Sequence, residues 1–456
     1  MKSGARLGGT ILESVAQSGH WGRYSIFAAD PVVTFGSEDK PETACPFQQL
    51  ESQLRPWCDW AEPCELPFVG GWIGYISYEA SRFIEPMAIH APRASTLPLM
   101  QWSLFDTVLI HDAMSDRWFV AGVELPADMC DAERAPLEDR LDQLADCTEF
   151  LDPNDSSTFD AGSPACHTIG WNFARGEYLA KVEQALGYIR AGDIFQVNLA
   201  RRFHAEIDAH PFSLYERLCR SNASTHAAFM PIHGCHYRGI GPAAVISSSP
   251  ELFLSLSGRD VVTRPIKGTR PRGSTPADDR RAAAELASSS KDRAELNMII
   301  DLERNDLGRV CEFGSVRVES DGAIETLPTV FHRTATVTGR LREELDAIDL
   351  LRATFPGGSI TGAPKVRAMQ IIQELEPEAR GPYCGAIGFI GLDGSMQLNL
   401  PIRTMTMQGS RVGLHVGSGI VADSNPPDEY NELTAKVAGM MRAIGVETRD
   451  GVLAST

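Results

Sequence analysis

The 456-residue sequence predicts an α/β fold of the α+β kind, with antiparallel rather than parallel strands. Three observations lead there. Tyr178, Val182, Ala185 and Ile189 recur at helical spacing, Gly192-Asp193 breaks the pattern, and Phe195, Val197 and Leu199 then alternate as a strand does. Two apolar runs between Tyr383 and Met407 flank Leu392-Asp393-Gly394-Ser395, a hairpin signal. Helices and hairpin-joined strands mixed in this way favour antiparallel sheets over a doubly wound parallel one.

From the N-terminus, residues 1–150 mix short apolar runs such as Gly70-Gly71-Trp72-Ile73-Gly74-Tyr75 with turn residues, which predicts strands joined by loops. The stretch 151–168 is rich in Asp, Ser, Pro and Gly and is expected to be a linker. Residues 169–446 then form the second region. Within it, Asp292–Leu307 is expected to be helical, with Leu296, Ile299, Ile300 and Leu302 on the apolar side. Pro364 is expected to open another helix, with Val366, Met369, Ile372 and Leu375 as its buried stripe. A last helix is expected over Asp428–Ala443.

The composition, 43% hydrophobic and 22% charged, is that of a globular protein large enough to bury a substantial core. The net charge of -18 argues against nucleic acid as the main partner, because phosphate binding needs a basic surface. A small anionic substrate needs only a few local cations, amides or a metal ion. The ten cysteines include no Cys-x-x-Cys pair, so neither a zinc cluster nor a redox pair is signalled. No apolar run is long enough to cross a bilayer, and Met1–Thr10 is not followed by the apolar stretch of a secretory signal. The expectation is a cytoplasmic protein with no membrane partner.

Several residues could carry chemistry. In the last helix Glu429, Glu432 and Lys436 fall on one face, either as a solvated charged surface or as carboxylates sharing a cation. Asp292 and Glu295 repeat the spacing on a second helix, and four carboxylates from two helices suit Mg²⁺, which prefers oxygen ligands. Lys267 stands in Pro265-Ile266-Lys267-Gly268-Thr269, either an exposed turn lysine or a positioned nucleophile, and Glu251 follows a strand where a carboxyl could act as general acid. The glycines of Gly357-Gly358-Ser359-Ile360-Thr361-Gly362 and Gly417-Ser418-Gly419 let backbone approach a ligand, without matching the phosphate-loop pattern. Arg403, alternating with Leu400 and Ile402 as on a strand, could hold a carboxylate bidentately.

Taken in order, these segments resemble the chorismate-binding family of anthranilate, aminodeoxychorismate, isochorismate and salicylate synthases. The match covers Gly192–Leu199, Ser249–Phe253, Pro265–Thr269, Lys291–Glu295, Asp301–Asp306, Gly358–Lys365 and Val421–Ser424, with Leu12-Glu13-Ser14 and Trp21–Ser25 nearer the start. The resemblance implies antiparallel sheets packed as a sandwich with helices outside. It also implies chorismate as substrate and Mg²⁺ as cofactor, on Glu295 and Glu432 with Asp292 and Glu429 acting through waters.

Gln196 stands where relatives that add water carry a lysine, and Lys267 where anthranilate synthases carry alanine. The resemblance therefore points to amination at C4, with Lys267 as nucleophile, Glu251 as acid and His332 beside the leaving hydroxyl. Gln196, Thr269, Ser359, Tyr383, Arg403, Gly417, Gly419 and Lys436 are implied around the substrate. No cysteine has a Gly-x-Cys-x-Gly setting, so ammonia is expected from a separate glutamine amidotransferase subunit. Ser14 marks a region that in some relatives holds tryptophan.

Overall fold

The computed structural model describes residues 9–16, 21–37, 44–57, 64–85, 97–126, 134–149, 164–233, 242–446, 448–449 and 452–453. Two large antiparallel sheets dominate it. In the first, the strands lie in the order Gly362–Ala363, Gln196–Asp208, Arg411–Ile420, Thr404–Gln408, Ala243–Ser249, His226–Pro231, Thr10–Glu13, Tyr24–Ala28, Thr107–Asp112 and Arg117–Gly122, and Ala165–Trp171 also pairs with Gln196–Asp208. In the second the order is Ile266–Pro271, Val330–Arg340, Asp260–Arg264, Leu252–Ser257, Met396–Asn399, Ala386–Gly391, Gly71–Ile76, Met100–Phe105 and Val33–Ser37, with Arg317–Thr326 beside Val330–Arg340.

The sheets pack face to face. Ile26, Ile110, Ala228 and Val245 of the first share one buried cluster with Ile73, Tyr75, Ile387 and Phe389 of the second, as expected of a sandwich whose inner faces interdigitate. Strands from before and after the expected linker occur in both sheets, so 151–168 divides the sequence and not the layers. Residues 150–163 lie outside the described residues. The end of the expected linker is strand instead: Ala165–Trp171 pairs with Gln196–Asp208, its edge position outweighing a polar composition.

The helices cover the sheets. Arg175–Arg190 and Pro426–Ala443 match the expected periodicities, the latter burying Leu433, Val437 and Met440. Ser290–Gly308 starts on the Ser289 hydroxyl, which accepts the Asp292 amide at 3.2 Å, and buries Leu296, Ile299 and Ile300. No helix among the described residues is long and apolar enough to cross a membrane.

Two local expectations are corrected. Pro364 is the cap of the helix Lys365–Leu375 and not its first residue, with its ψ of 141° still extended. Leu400–Arg403 is not strand: Pro401 interrupts it, and Arg403 takes φ of +52°, turning the chain between Met396–Asn399 and Thr404–Gln408.

Candidate active site

Lys267 lies in the strand Ile266–Pro271, whose register against Val330–Arg340 is irregular between Ile266 and Thr269. Gly268, at φ of +83°, permits that bend, and a side chain there would strike Asp292. The lysine Nζ is thereby turned inward, where it donates to the Ser359 carbonyl at 2.9 Å. The Ser359 hydroxyl donates to Glu251 Oε1 at 2.6 Å. One turn, Gly358–Ile360, thus holds the proposed nucleophile by its backbone and the proposed acid by its side chain.

Burial sets the charge of both groups. It pushes the Glu251 carboxyl up, against the opposing pull of Lys267, Ser359 and the Ile266 amide. It pushes the Lys267 ammonium down, although Glu251 and Glu295 favour its charge. Both shifts favour the uncharged form, of a carboxyl and of a lysine in adjoining positions.

Around this pair several buried polar atoms have no partner among the described residues. Both amide atoms of Gln196, Asn198 Oδ1 and His332 Nε2 are in that condition. Buried polar groups are normally satisfied, and a cluster of exceptions suits a polar ligand. The glycines make the space: a Cβ at Gly417 would overlap Asn198 Oδ1 and lie 2.8 Å from the Tyr383 hydroxyl, and one at Gly419 would lie 2.9 Å from Gln196 Nε2. Tyr383 is fixed by stacking on His415, with ring centroids 5.2 Å apart.

His332 Nδ1 bonds the Thr269 hydroxyl at 2.8 Å, and burial, with Arg403 assisting, brings its pKa down to about 3. His332 is therefore neutral near pH 7. Arg403 is itself brought down to about 10 by burial, with Glu251 opposing.

Carboxylates gather next to Lys267. Glu432 pairs with Lys436 at 2.6 Å, and Lys436 Nζ also donates to the Gly417 carbonyl at 3.2 Å. The Ser418 hydroxyl donates to Glu429 and, at 3.4 Å, to Glu432, while Ser424 donates to Glu429 at 2.6 Å. Lys291 stands between Glu295 at 3.8 Å and Glu429 at 3.9 Å. Burial raises the Glu295 pKa; it also opposes ionisation of Glu432, but there Lys436, Lys291 and Ser418 prevail and hold the carboxyl below its usual value.

Asp292 is engaged differently, by Arg270 at 3.1 Å. Among the described residues no three His, Cys, Asp or Glu side chains converge as a ready metal cage. Glu295, Glu429 and Glu432 are nevertheless hard oxygen donors balanced only by lysines, a donor set that fits Mg²⁺ in kind.

Ser14 lies away from this centre. Its hydroxyl donates to the Ala16 carbonyl at 2.9 Å, and its amide donates to Ser25 Oγ at 3.1 Å. Beside it is a cavity of about 240 Å³ lined by Glu13, Trp21, Arg23, His226 and Asn399 among others, so Ser14 supports this cavity without lining it.

The sequence reading did not single out Asn198, Lys291, Lys365 or Arg380. Asn198 and Lys365 lie inside the motifs already noted, and their alternation and spacing could have drawn attention to them. Arg380, buried against Glu376, the Ile360 carbonyl and the Asn198 carbonyl, carries no local signal beyond an i,i+4 pair.

Comparison with known proteins identifies the family. Residues 11–442 match the family described as chorismate binding enzyme. Aminodeoxychorismate synthase component 1 of Salmonella typhimurium is 38% identical over 446 residues, covering 91% of this chain and 88% of the relative. Anthranilate synthase component 1 of Streptomyces coelicolor is also 38% identical, over 96% of this chain and 83% of the relative. The crystal structure of anthranilate synthase component I from Streptococcus pneumoniae superposes with a TM-score of 0.77 at 32% identity, covering 92% of each chain. The chain belongs to the chorismate-binding enzyme family and is a chorismate-using enzyme.

Proposed function

We propose that the chain aminates chorismate at C4, releasing water and 4-amino-4-deoxychorismate, with ammonia delivered by a separate glutamine amidotransferase subunit. The observation that carries this reading is Lys267, inward-facing and biased toward its neutral form, joined through Ser359 to the Glu251 carboxyl, which burial biases toward its protonated form.

Neutral Lys267 attacks C2, forming an N–C bond as both ring double bonds shift and the C4–O bond breaks. Glu251 gives its proton to the departing hydroxyl, which leaves as water. Ammonia then adds at C4, both double bonds shift back, and the Lys267–C2 bond breaks. Glu251 recovers a proton from the new ammonium, so both side chains return to their starting forms. His332, neutral and bonded to Thr269, offers its free nitrogen near the leaving oxygen. Gln196 cannot activate water as a lysine would, which supports amination over hydroxylation. Arg403, Tyr383, Gly417, Gly419 and Lys436 surround the substrate in this reading.

Mg²⁺ held by Glu295 and Glu432, with Asp292 and Glu429 acting through waters, would supply charge neutralisation for a substrate carboxylate. The destination of the product is para-aminobenzoate and folate in this reading, and tryptophan is the ligand considered for the cavity beside Ser14.

An anthranilate synthase stands at the same identity as an aminodeoxychorismate synthase, so product identity decides. Purified protein with chorismate, Mg²⁺ and ammonium should give 4-amino-4-deoxychorismate by mass spectrometry. Fluorescent anthranilate, formed without any lyase, would overturn the C4 assignment.

A further inference from the structure

Behind the turn that holds Lys267 and Glu251 lies a carboxyl group that the proposed mechanism does not use. Glu303, on Ser290–Gly308, is 2% exposed. Its carboxyl packs against Gly358: a Cβ placed there would lie 3.1 Å from Glu303 Oε1 and 2.5 Å from Leu302, and the nearby Gly358 amide favours the carboxyl's charge. Glu303 therefore touches the first residue of the Gly358–Ile360 turn, one residue from Ser359. Its other oxygen, Oε2, is buried without a partner among the described residues.

The surroundings decide its charge. The groups facing Glu303 are Asp306 on its own helix, Lys365 on Lys365–Leu375 and Glu251 across the turn. Lys365 is already committed, with Nζ 2.5 Å from Asp306 and 2.8 Å from the Thr354 carbonyl. An ionised Glu303 would be a second buried carboxylate beside one lysine, with one oxygen unsolvated. Leaving a neutral acid unsatisfied costs far less than leaving a buried charge unpaired.

We infer that Glu303 is a positioning residue for the amination site: its carboxyl, uncharged, pins the Gly358–Ile360 turn from behind and so fixes the Ser359 carbonyl against Lys267 and the Ser359 hydroxyl against Glu251. The inference rests on the roles given above to Lys267 and Glu251. An uncharged group suits the place, since a carboxylate there would oppose ionisation of Glu251 each time it gives up its proton. Burial first, and then Asp306, push the Glu303 carboxyl up to about 8, with Lys365 and the Gly358 amide opposing.

The test uses Glu303→Ala and Glu303→Gln in the full chain, with kinetics on chorismate and thermal unfolding from pH 5 to 9. Alanine removes the carboxyl packed against Gly358 and should lower kcat at least about tenfold with KM changed less than about threefold. Glutamine keeps a neutral acceptor and should restore kcat to within about threefold of the wild type.

The unfolded chain ionises at Glu303 near the usual carboxyl value, whereas the folded chain holds this proton until about pH 8. The wild type therefore loses stability at Glu303 as pH rises through that interval, and the glutamine variant lacks this contribution while sharing those of Glu251, Glu295 and Asp306. Its melting temperature should lie close to the wild-type value at pH 5 and several degrees above it at pH 9.

Equal loss of kcat in both variants, wild-type kcat in the alanine variant, or a melting difference that does not grow with pH would each overturn the inference. Should the alanine variant fail to fold, the glutamine variant decides through its unfolding curve. Kinetics are read on whichever product the wild type makes from chorismate. A product other than the C4 amine therefore defeats the proposed function and leaves this comparison standing.

Discussion

Among individual residues, the same force shifts the acid and the nucleophile in opposite directions. Burial disfavours charge on both, so the carboxyl of Glu251 gains affinity for its proton while the ammonium of Lys267 loses it. His332 feels the same force, and its pKa near 3 has a consequence for the pH profile. Between pH 5.5 and 7.5 the imidazole stays neutral, so kcat/KM should carry no inflection from it. His332→Gln should lower the rate and leave the shape of the profile between those limits unchanged. A step near the ordinary histidine value that vanishes in the variant would contradict the neutral assignment.

Lys267 and Glu251 were singled out through the family resemblance carried by their motifs, since residue types alone left an exposed turn lysine and an ordinary strand-end carboxyl open. The structure shows both to be inward-facing. Glu303 and Arg380 were not legible, since their meaning depends on partners far along the chain: the Gly358 amide for one, the Asn198 and Ile360 carbonyls for the other. Asp292 was legible in its spacing and not in its partner: the interval from Glu295 suggests a shared cation, and the structure adds Arg270, 22 residues earlier, as a hydrogen-bond partner.

For the secondary-structure elements, the strand Arg411–Ile420 and the helix Pro426–Ala443 are joined at the site by Ser418, whose hydroxyl serves both Glu429 and Glu432. The strand presents glycine on either side of that serine, and the missing side chains leave room between Gln196, Asn198 and Tyr383. Gly417→Ala should displace Asn198 or Tyr383 and raise KM for chorismate at least about tenfold, with a stability loss of about 1–3 kcal/mol from overpacking. Steady-state kinetics and chemical denaturation measure the two effects, and an unchanged KM would show that this strand does not wall the substrate site.

Helix positions followed from periodicity, because an apolar stripe survives changes of partner. The Leu400–Arg403 connection did not, since apolar alternation there continues through Pro401 and a left-handed residue that pattern alone cannot detect.

On the scale of the molecule, both sheets draw strands from both ends of the chain, and the site forms where they meet through the turn Gly358–Ile360. Arg380 ties that meeting point together. Its guanidinium donates to the Ile360 carbonyl at 3.0 Å and the Asn198 carbonyl at 2.8 Å, and its amide donates to Glu79 of the N-terminal region at 2.7 Å. Antiparallel strands were legible from hairpins and helix spacing, and the sandwich from the family resemblance. The interleaving was not, because strand order among distant segments leaves no local trace; residues 1–150 are an integral part of both layers.

The covalent role of Lys267 is the claim on which the rest depends, and intact-protein mass spectrometry addresses it directly. Protein mixed with chorismate and Mg²⁺ in the absence of ammonia should gain the mass of one chorismate less one water, located to the Lys267 peptide and absent from Lys267→Ala. Amination at C4 by Lys267→Ala at the wild-type rate, with no adduct on the wild type, would contradict the account.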